Sequence, residues 1–270
     1  MQWSDTILEY IQQLKPVTLN AALAQRMAGL IDLTSLNAND TEASVAALCE
    51  KAHTAFGPVA AVCVYPQFVS LPVAAFAGTP IKVATVANFP LGSSALEVVM
   101  LEIGCALRDG AQEVDVVFPY ERYLAGERQY AHTFVAACKA ACGDHVTLKV
   151  ILETGVLRDV SIIADATFDV LAAGADFVKT STGKLAEGAS LEAAATMLLA
   201  IKHISPQLKR QVGIKVAGGL RDLTQAAHYI ELADLVMGRD WVNSATFRMG
   251  SSQLVDELAA LSCTGGMISH

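Results

Sequence analysis

A closed (β/α)8 barrel is the fold this sequence predicts, and three observations predict it. Short apolar runs rich in Val, Ile and Leu recur along the 270 residues. Helix-patterned stretches separate them in near-regular alternation. Hydrophobic residues make up 53% of the chain but aromatic ones only 6%, which suits strands covered by helices. An open doubly wound sheet is the competing arrangement, and the early glycines carry no dinucleotide-binding fingerprint to favour it. No Pro- or Gly-rich linker divides the chain, so residues 1–270 read as a single domain.

The elements follow in order. Ser4 to Leu14 reads as an amphipathic helix with Ile7, Leu8 and Ile11 on one face, ended by Pro16. Asn20 to Met27 reads as a second, so residues 1–28 form a short helical extension expected to cover one end of the fold. The predicted strands are 30–33, 59–64, 81–86, 113–117, 147–152, 177–180, 212–216 and 235–238. The predicted helices between and after them are 41–55, 66–76, 94–108, 125–141, 159–173, 191–204, 223–230 and 252–261. Thr41-Glu-Ala-Ser44 is a capping box with Ser in place of the usual final Glu, hence a weak cap. Pro72 interrupts the stretch from Pro66 to Phe76. Residues 262–270 read as a flexible tail containing Gly265 and Gly266.

The formal charge of −8 argues against a nucleic-acid binder that relies on a basic surface. No early apolar run reads as a signal peptide, and no apolar segment is long enough for a membrane helix. The six cysteines form no C-x-x-C pair and read as reduced thiols of a cytoplasmic protein. Cys138 and Cys142 lie one helical turn apart, but no second ligand pair follows, so no metal is expected. A barrel of this size is compatible with a homodimer, although no interface patch is legible.

Polar residues that interrupt apolar strands, or stand just after them, are the candidates for chemistry, because barrels collect function at the C-terminal strand ends. Asp32 ends the first run and is followed by Thr34 and Ser35, Cys63 ends the second, and Asp115 interrupts the fourth. Lys149 and Glu153 belong to the fifth, Lys179 ends the sixth and Lys215 lies in the seventh. Alternation places Val114 and Val116 on one face and Asp115 on the other, hence inward. The same argument turns Lys179 and Lys215 inward. A neutral lysine attacks a carbonyl to form a Schiff base, and burial beside a second ammonium favours the neutral amine. Either lysine alone reads as an ion-paired structural residue. The pair, with Asp32 and Asp115 on other strands, favours a reactive site. Ala217-Gly-Gly219 and Arg248-Met-Gly-Ser-Ser252, the latter expected to open the last helix, stand where barrels hold phosphate. Ser181-Thr-Gly-Lys184 is no nucleotide P-loop, because Val178 occupies the place of the required glycine.

Six blocks in order carry a family resemblance: Ile31-Asp-Leu-Thr-Ser-Leu-Asn37, Ala61-Val-Cys-Val-Tyr-Pro66, Glu113-Val-Asp-Val-Val-Phe-Pro119, Leu148-Lys-Val-Ile-Leu-Glu-Thr154, Phe177-Val-Lys-Thr-Ser-Thr-Gly-Lys184 and Gly213-Ile-Lys-Val-Ala-Gly-Gly219. Together they resemble deoxyribose-phosphate aldolases, over nearly the whole chain. The resemblance implies a class I, metal- and cofactor-free carbon–carbon lyase on a TIM barrel. It would cleave 2-deoxy-D-ribose 5-phosphate to D-glyceraldehyde 3-phosphate and acetaldehyde, in deoxyribose phosphate catabolism. By position, Lys179 resembles the Schiff-base lysine, Lys215 the second lysine that lowers its pKa, and Asp115 the proton-relay carboxylate. Asp32 resembles a further polar site residue. Gly218, Gly219 and Ser252 match phosphate-binding positions, and Thr182, Gly183 and Lys184 line the substrate's approach. The chain departs from the pattern in three places. Val216 stands where proline is common, Gln253 where a second phosphate-site serine often lies, and the tail ends in His270 without the family's tyrosine. His270 is the candidate replacement proton carrier. Two other functions remain open: a different Schiff-base barrel, transaldolase-like or using another aldol substrate, and a non-catalytic phosphosugar-binding barrel.

Overall fold

Eight parallel strands close on themselves in this computed structural model, which describes residues 3–263. The strands are β1 (Ile31–Thr34), β2 (Ala61–Val64), β3 (Lys82–Ala87), β4 (Glu113–Val117), β5 (Thr147–Ile151), β6 (Phe177–Lys179), β7 (Gly213–Ala217) and β8 (Phe247–Ser251). Each pairs with its sequence neighbour, and β1 pairs with β8 to close the barrel, Asp32 lying opposite both Gly250 and Ala61. The fold is therefore the predicted (β/α)8 barrel with its short N-terminal helical extension.

Side chains alternate along each strand, which sorts every strand into two chemistries. Ile31, Leu33, Val62, Val64, Val114, Val116, Leu148, Val150, Val178, Ile214 and Val216 belong to the main apolar core against the helices. Burying each is worth about 2 kcal/mol. The opposite face of β2 and β3 supplies a separate small apolar cluster, Cys63, Ala84 and Val86 with Leu36 from the β1 loop. Charged residues occupy the equivalent face elsewhere.

Among the described residues the α-helices are α1 (Ser4–Gln12), α2 (Ala21–Ala28), α3 (Glu42–Lys51), α4 (Ser70–Ala75), α5 (Leu96–Arg108), α6 (Tyr120–Leu124), α7 (Arg128–Cys142), α8 (Thr154–Leu157), α9 (Val160–Ala172), α10 (Leu191–Leu208), α11 (Leu223–Met237) and α12 (Leu254–Cys263). Several of them start where a polar side chain accepts from their first N–H groups, as Asn20 does for α2. In α3 (Glu42–Lys51) the capping box is complete, Ser44 standing in for Glu: Thr41 Oγ1 accepts from Ser44 N at 3.2 Å and Ser44 Oγ from Thr41 N at 2.9 Å. Asp159, Ser190 and Asp222 cap α9 (Val160–Ala172), α10 (Leu191–Leu208) and α11 (Leu223–Met237). The helix expected to end at Ile204 continues past Pro206 to Leu208. Pro72 falls in the first turn of α4 (Ser70–Ala75), where its missing N–H would have had no helical partner. The opening helix α1 (Ser4–Gln12) packs on the outside of α10 and α11, with Trp3 edge-on to Phe168 of α9, rather than over an end of the barrel. Ser262 and Cys263 belong to α12 (Leu254–Cys263) instead of a tail; the rest of that predicted tail, including His270, lies outside the described residues.

One strand assignment is corrected. The run 235–238 is the last turn of α11, which Gly238 ends at φ 91°, and the eighth strand is Phe247–Ser251. The apolar run reads as a strand because α11 buries Leu232, Ala233 and Val236 against the barrel.

Cys49, Cys63, Cys138 and Cys142 are buried free thiols, whereas Cys105 and Cys263 are exposed. Burial pushes the Cys138 thiol up to about 12 and that of Cys142 to about 11. Native protein is thus expected to yield two rapidly alkylated thiols out of six, and all six only after denaturation; a thiol-reagent titration with peptide mapping checks this.

Candidate active site

Seven charged side chains from six strands meet inside the barrel, each at most 5% exposed: Asp32, Glu113, Asp115, Lys149, Lys179, Lys215 and Arg248. An unpaired charge there would cost several kcal/mol, so every one is paired. Asp115 is the hub. Its Oδ1 accepts from Lys149 Nζ at 2.7 Å, and its Oδ2 accepts from both Lys179 Nζ at 2.9 Å and Lys215 Nζ at 2.8 Å. Asp32 Oδ1 accepts from Arg248 Nη1 at 2.7 Å, and its Oδ2 faces Lys215 Nζ at 2.7 Å as an ion pair not aligned as a hydrogen bond. Glu113 completes the lattice, 2.6 Å from Lys149 Nζ and 3.0 Å from Arg248 Nη2. Strand register makes these meetings possible: Asp115 lies opposite Lys149, and Lys179 opposite Lys215.

The lattice does not treat its members alike. Burial alone would raise Asp115, but Lys149, Lys179 and Lys215 outweigh it and hold the carboxyl well below its usual range. Burial would likewise raise Asp32, and Lys215, Arg248 and Lys149 reverse this. Burial favours neutral Lys215, yet Asp115 and Asp32 together push its pKa above the ordinary lysine value. Lys149 is raised in the same way by Asp115 and Glu113. Lys179 alone among the three lysines goes the other way: burial dominates, Asp115 opposes, and Lys215 adds to the depression.

Lys179 is also the one member of the lattice, among the described residues, that borders a cavity of about 230 Å³. The loops after β1, β6, β7 and β8 form its walls. Thr182 N donates to Glu153 Oε2 at 3.2 Å, Thr182 Oγ1 accepts from Lys184 N at 3.1 Å, and Lys184 Nζ donates to the Leu36 carbonyl across the opening. Gly218 sits at φ 92°, and a Cβ there would come within 3.1 Å of Gly188 Cα, so the loop after β7 depends on glycine. Gly250, facing inward on β8, leaves room for Lys215: a Cβ would lie 3.0 Å from Lys215 Cε. Ser251 Oγ donates to the Leu220 carbonyl at 2.9 Å and accepts from Gln253 N at 3.1 Å, tying the last two loops together.

A buried lysine with a depressed pKa, opening onto a polar cavity at the C-terminal strand ends, is the arrangement of a carbonyl-attacking site. Residues 26–241 match the model of the DeoC/LacD family aldolases. The chain belongs to the DeoC/LacD aldolase family. It is accordingly a lyase of aldolase type. Solved structures agree. A Toxoplasma gondii ME49 protein, provisionally assigned as a deoxyribose-phosphate aldolase, is 27% identical over 90% of this chain and 94% of its own, with a TM-score of 0.79. A Coccidioides immitis protein with the same provisional assignment is 27% identical over 95% and 96%, TM-score 0.75. The tetrameric deoxyribose phosphate aldolase of Aeropyrum pernix is 25% identical over 98% and 100%, TM-score 0.69.

In this aldolase, Lys179, Thr182, Gly183, Lys184, Gly218, Gly219 and Ser252 all line the cavity. Asp115, Lys215 and Asp32 lie behind Lys179 in the lattice instead. Arg248–Ser251 belong to β8, with Ser252 just after it, rather than opening the last helix, which begins at Leu254, so Arg248 points into the barrel. Glu113 is absent from the sequence-derived candidates, Arg248 stands among them only at the head of the expected phosphate stretch, and Lys149 has no role there. Two signals point to them: Glu113 stands two residues before Asp115, hence on its face, and Phe247 and Met249 alternate with Arg248 and Gly250. Arg221 also lines the cavity. Among the described residues no group of His, Cys, Asp or Glu is arranged to hold a metal ion, and no helix is long and apolar enough to cross a membrane.

The depressed carboxylates set an acid limit. Asp32 and Asp115 titrate lower folded than unfolded, so their stabilisation is fully present above their unfolded pKa of about 4 and is lost as pH falls below it. Glu153, raised by burial, contributes with the opposite sign. Urea midpoints are expected to fall steeply below about pH 4 and to change little between about pH 5 and 7.

Proposed function

We propose that this aldolase reversibly cleaves 2-deoxy-D-ribose 5-phosphate to D-glyceraldehyde 3-phosphate and acetaldehyde, in deoxyribose phosphate breakdown, through a Schiff base on Lys179. The observation that carries the reading is the position of Lys179: its amine is pushed toward neutrality, borders the cavity, and shares Asp115 Oδ2 with Lys215. A neutral amine is what attacks an aldehyde, and it needs a proton source beside it.

Lys179 Nζ adds to C1 of the open-chain sugar. The carbinolamine hydroxyl leaves as water, taking a proton relayed from the Lys215 ammonium through Asp115. The resulting iminium accepts the C2–C3 bonding electrons. The C3 hydroxyl proton returns along the relay to Lys215, glyceraldehyde 3-phosphate departs, and an enamine stays on Lys179. Protonation at C2 by Lys215 and addition of water then release acetaldehyde, restoring both lysines. The phosphate end is read by Lys184, Arg221, Ser252 and the Gly218–Gly219 turn, which line the cavity beside Lys179. Holding the phosphate there fixes C1 against Nζ.

Incubation with deoxyribose 5-phosphate and product analysis tests the reading. Acetaldehyde and glyceraldehyde 3-phosphate are expected in equal amounts. Release of another aldehyde from another sugar phosphate, with none from this one, would assign a different aldolase; binding without cleavage would leave a phosphosugar-binding barrel.

A further inference from the structure

The buried lattice holds four cations, Lys149, Lys179, Lys215 and Arg248, against three carboxylates, Asp32, Glu113 and Asp115. One positive charge is in surplus, and the contacts decide where it is least supported. Lys215 has Asp32 at 2.7 Å and Asp115 at 2.8 Å. Lys149 has Glu113 at 2.6 Å and Asp115 at 2.7 Å, with Asp32 further off at 3.7 Å. Arg248 has Asp32 at 2.7 Å and Glu113 at 3.0 Å. Lys179 has Asp115 alone, at 2.9 Å.

We propose that Glu113 and Arg248, neither of which touches the cavity, are positioning residues that select Lys179 as the amine able to lose its proton. The inference rests on the proposed function of Lys179 as the nucleophile. Glu113 supplies the second carboxylate for both Lys149 and Arg248, so that Asp32 and Asp115 remain to hold Lys215 from both sides. Arg248 takes Asp32 Oδ1 and fixes that carboxylate with Oδ2 toward Lys215. Arg248 also carries the charge that puts the lattice in surplus. The surplus falls on the ammonium with one partner. The charged and titratable groups that act on Lys179 are Asp115 from β4, Lys215 from β7, Cys63 from β2 and Glu153 after β5. Glu113 and Arg248 act on it through the lattice behind these.

Changing the charge count therefore moves Lys179 in a predictable direction. Glu113→Gln raises the surplus and eases loss of the proton. Arg248→Gln abolishes the surplus and makes loss harder. The double variant Glu113→Gln/Arg248→Gln restores the original net charge, and Arg248→Lys keeps it throughout.

Cyanate, a small reagent that carbamylates neutral amines, reads Lys179 independently of any aldolase activity. Its rate at Lys179 as a function of pH is followed by peptide mass, with exposed Lys82 as the internal reference. Expected are a midpoint about one unit lower in Glu113→Gln and about one unit higher in Arg248→Gln, roughly a tenfold rate difference each way below the midpoint. The double variant and Arg248→Lys are expected to lie near wild type. Lys149→Met, which removes another cation of the lattice, is expected to shift the midpoint upward like Arg248→Gln and serves if the Arg248 variant does not fold. Shifts in the same direction for both single variants, or none in the folded variants, would overturn the proposal, because a merely structural pair lowers melting temperature without opposite shifts. Wild-type enzyme treated with acetaldehyde and cyanoborohydride in parallel tests the nucleophile itself. Absence of an adduct at Lys179 there counts against the aldolase reading, whereas unmoved carbamylation midpoints count against the role of Glu113 and Arg248.

Discussion

Lys179→Leu is expected to lower cleavage of deoxyribose 5-phosphate by at least about a thousandfold while leaving the barrel folded. The loss follows from removing the amine that forms the covalent bond; no other lysine of the lattice borders the cavity among the described residues. Retention of the fold follows from the remaining pairs. Asp115 keeps Lys149 at 2.7 Å and Lys215 at 2.8 Å, and three cations then face three carboxylates with no charge left over. Leucine keeps most of the apolar stem in place. Steady-state rates together with thermal melts by circular dichroism check both halves. Activity within about tenfold of wild type would place the nucleophile elsewhere.

Asp115→Ala is expected to be the most destabilising single change at the site, by about 3–5 kcal/mol, because it strips a carboxylate from three buried ammonium groups at once. Lys179 is left with no carboxylate contact, and Lys215 and Lys149 each lose one of their two closest. The pH dependence of the loss carries the mechanism. With Asp115 gone, the buried lysines titrate below their unfolded values, so the folded protein binds fewer protons than the unfolded one. Stability then rises with pH, and the deficit against wild type shrinks toward pH 9–10, where the lysines approach neutrality at about their ordinary pKa. Urea midpoints of the variant and wild type between pH 6 and 10 measure it. A deficit that stays constant across that range would mean that lost packing, and not uncompensated charge, sets the cost. Activity is expected to fall as well, since the proposed relay between Lys215 and Lys179 runs through Asp115 Oδ2.

The barrel was legible because seven of its strands present apolar runs, and because alternation fixes which residues face inward. Val114-Asp-Val116 is enough to turn Asp115 into the barrel, and the same pattern turns Lys179 and Lys215. β8 was not legible by the same rule. Its inward residues are Arg248 and Gly250, so only Phe247 and Met249 signal a strand, while the end of α11 offers a continuous apolar run. Misplacing one strand hid Arg248, and without Arg248 nothing drew Glu113 into the site. Lys149 was visible as a charge on a strand, but its role lies in contacts to three carboxylates on two other strands, β1 and β4, which no local pattern encodes. The direction in which each lysine titrates is likewise a property of the assembled lattice. Two lysines of similar local sequence, Lys179 and Lys215, move in opposite directions because one has a single carboxylate contact and the other has two.

Borohydride reduction during turnover of deoxyribose 5-phosphate, followed by peptide mass mapping, tests the Schiff base on Lys179 most directly. One adduct is predicted, on the peptide carrying Lys179, absent from Lys179→Leu and forming faster as pH rises. No adduct during measurable turnover, or an adduct on another lysine that persists in Lys179→Leu, would contradict it.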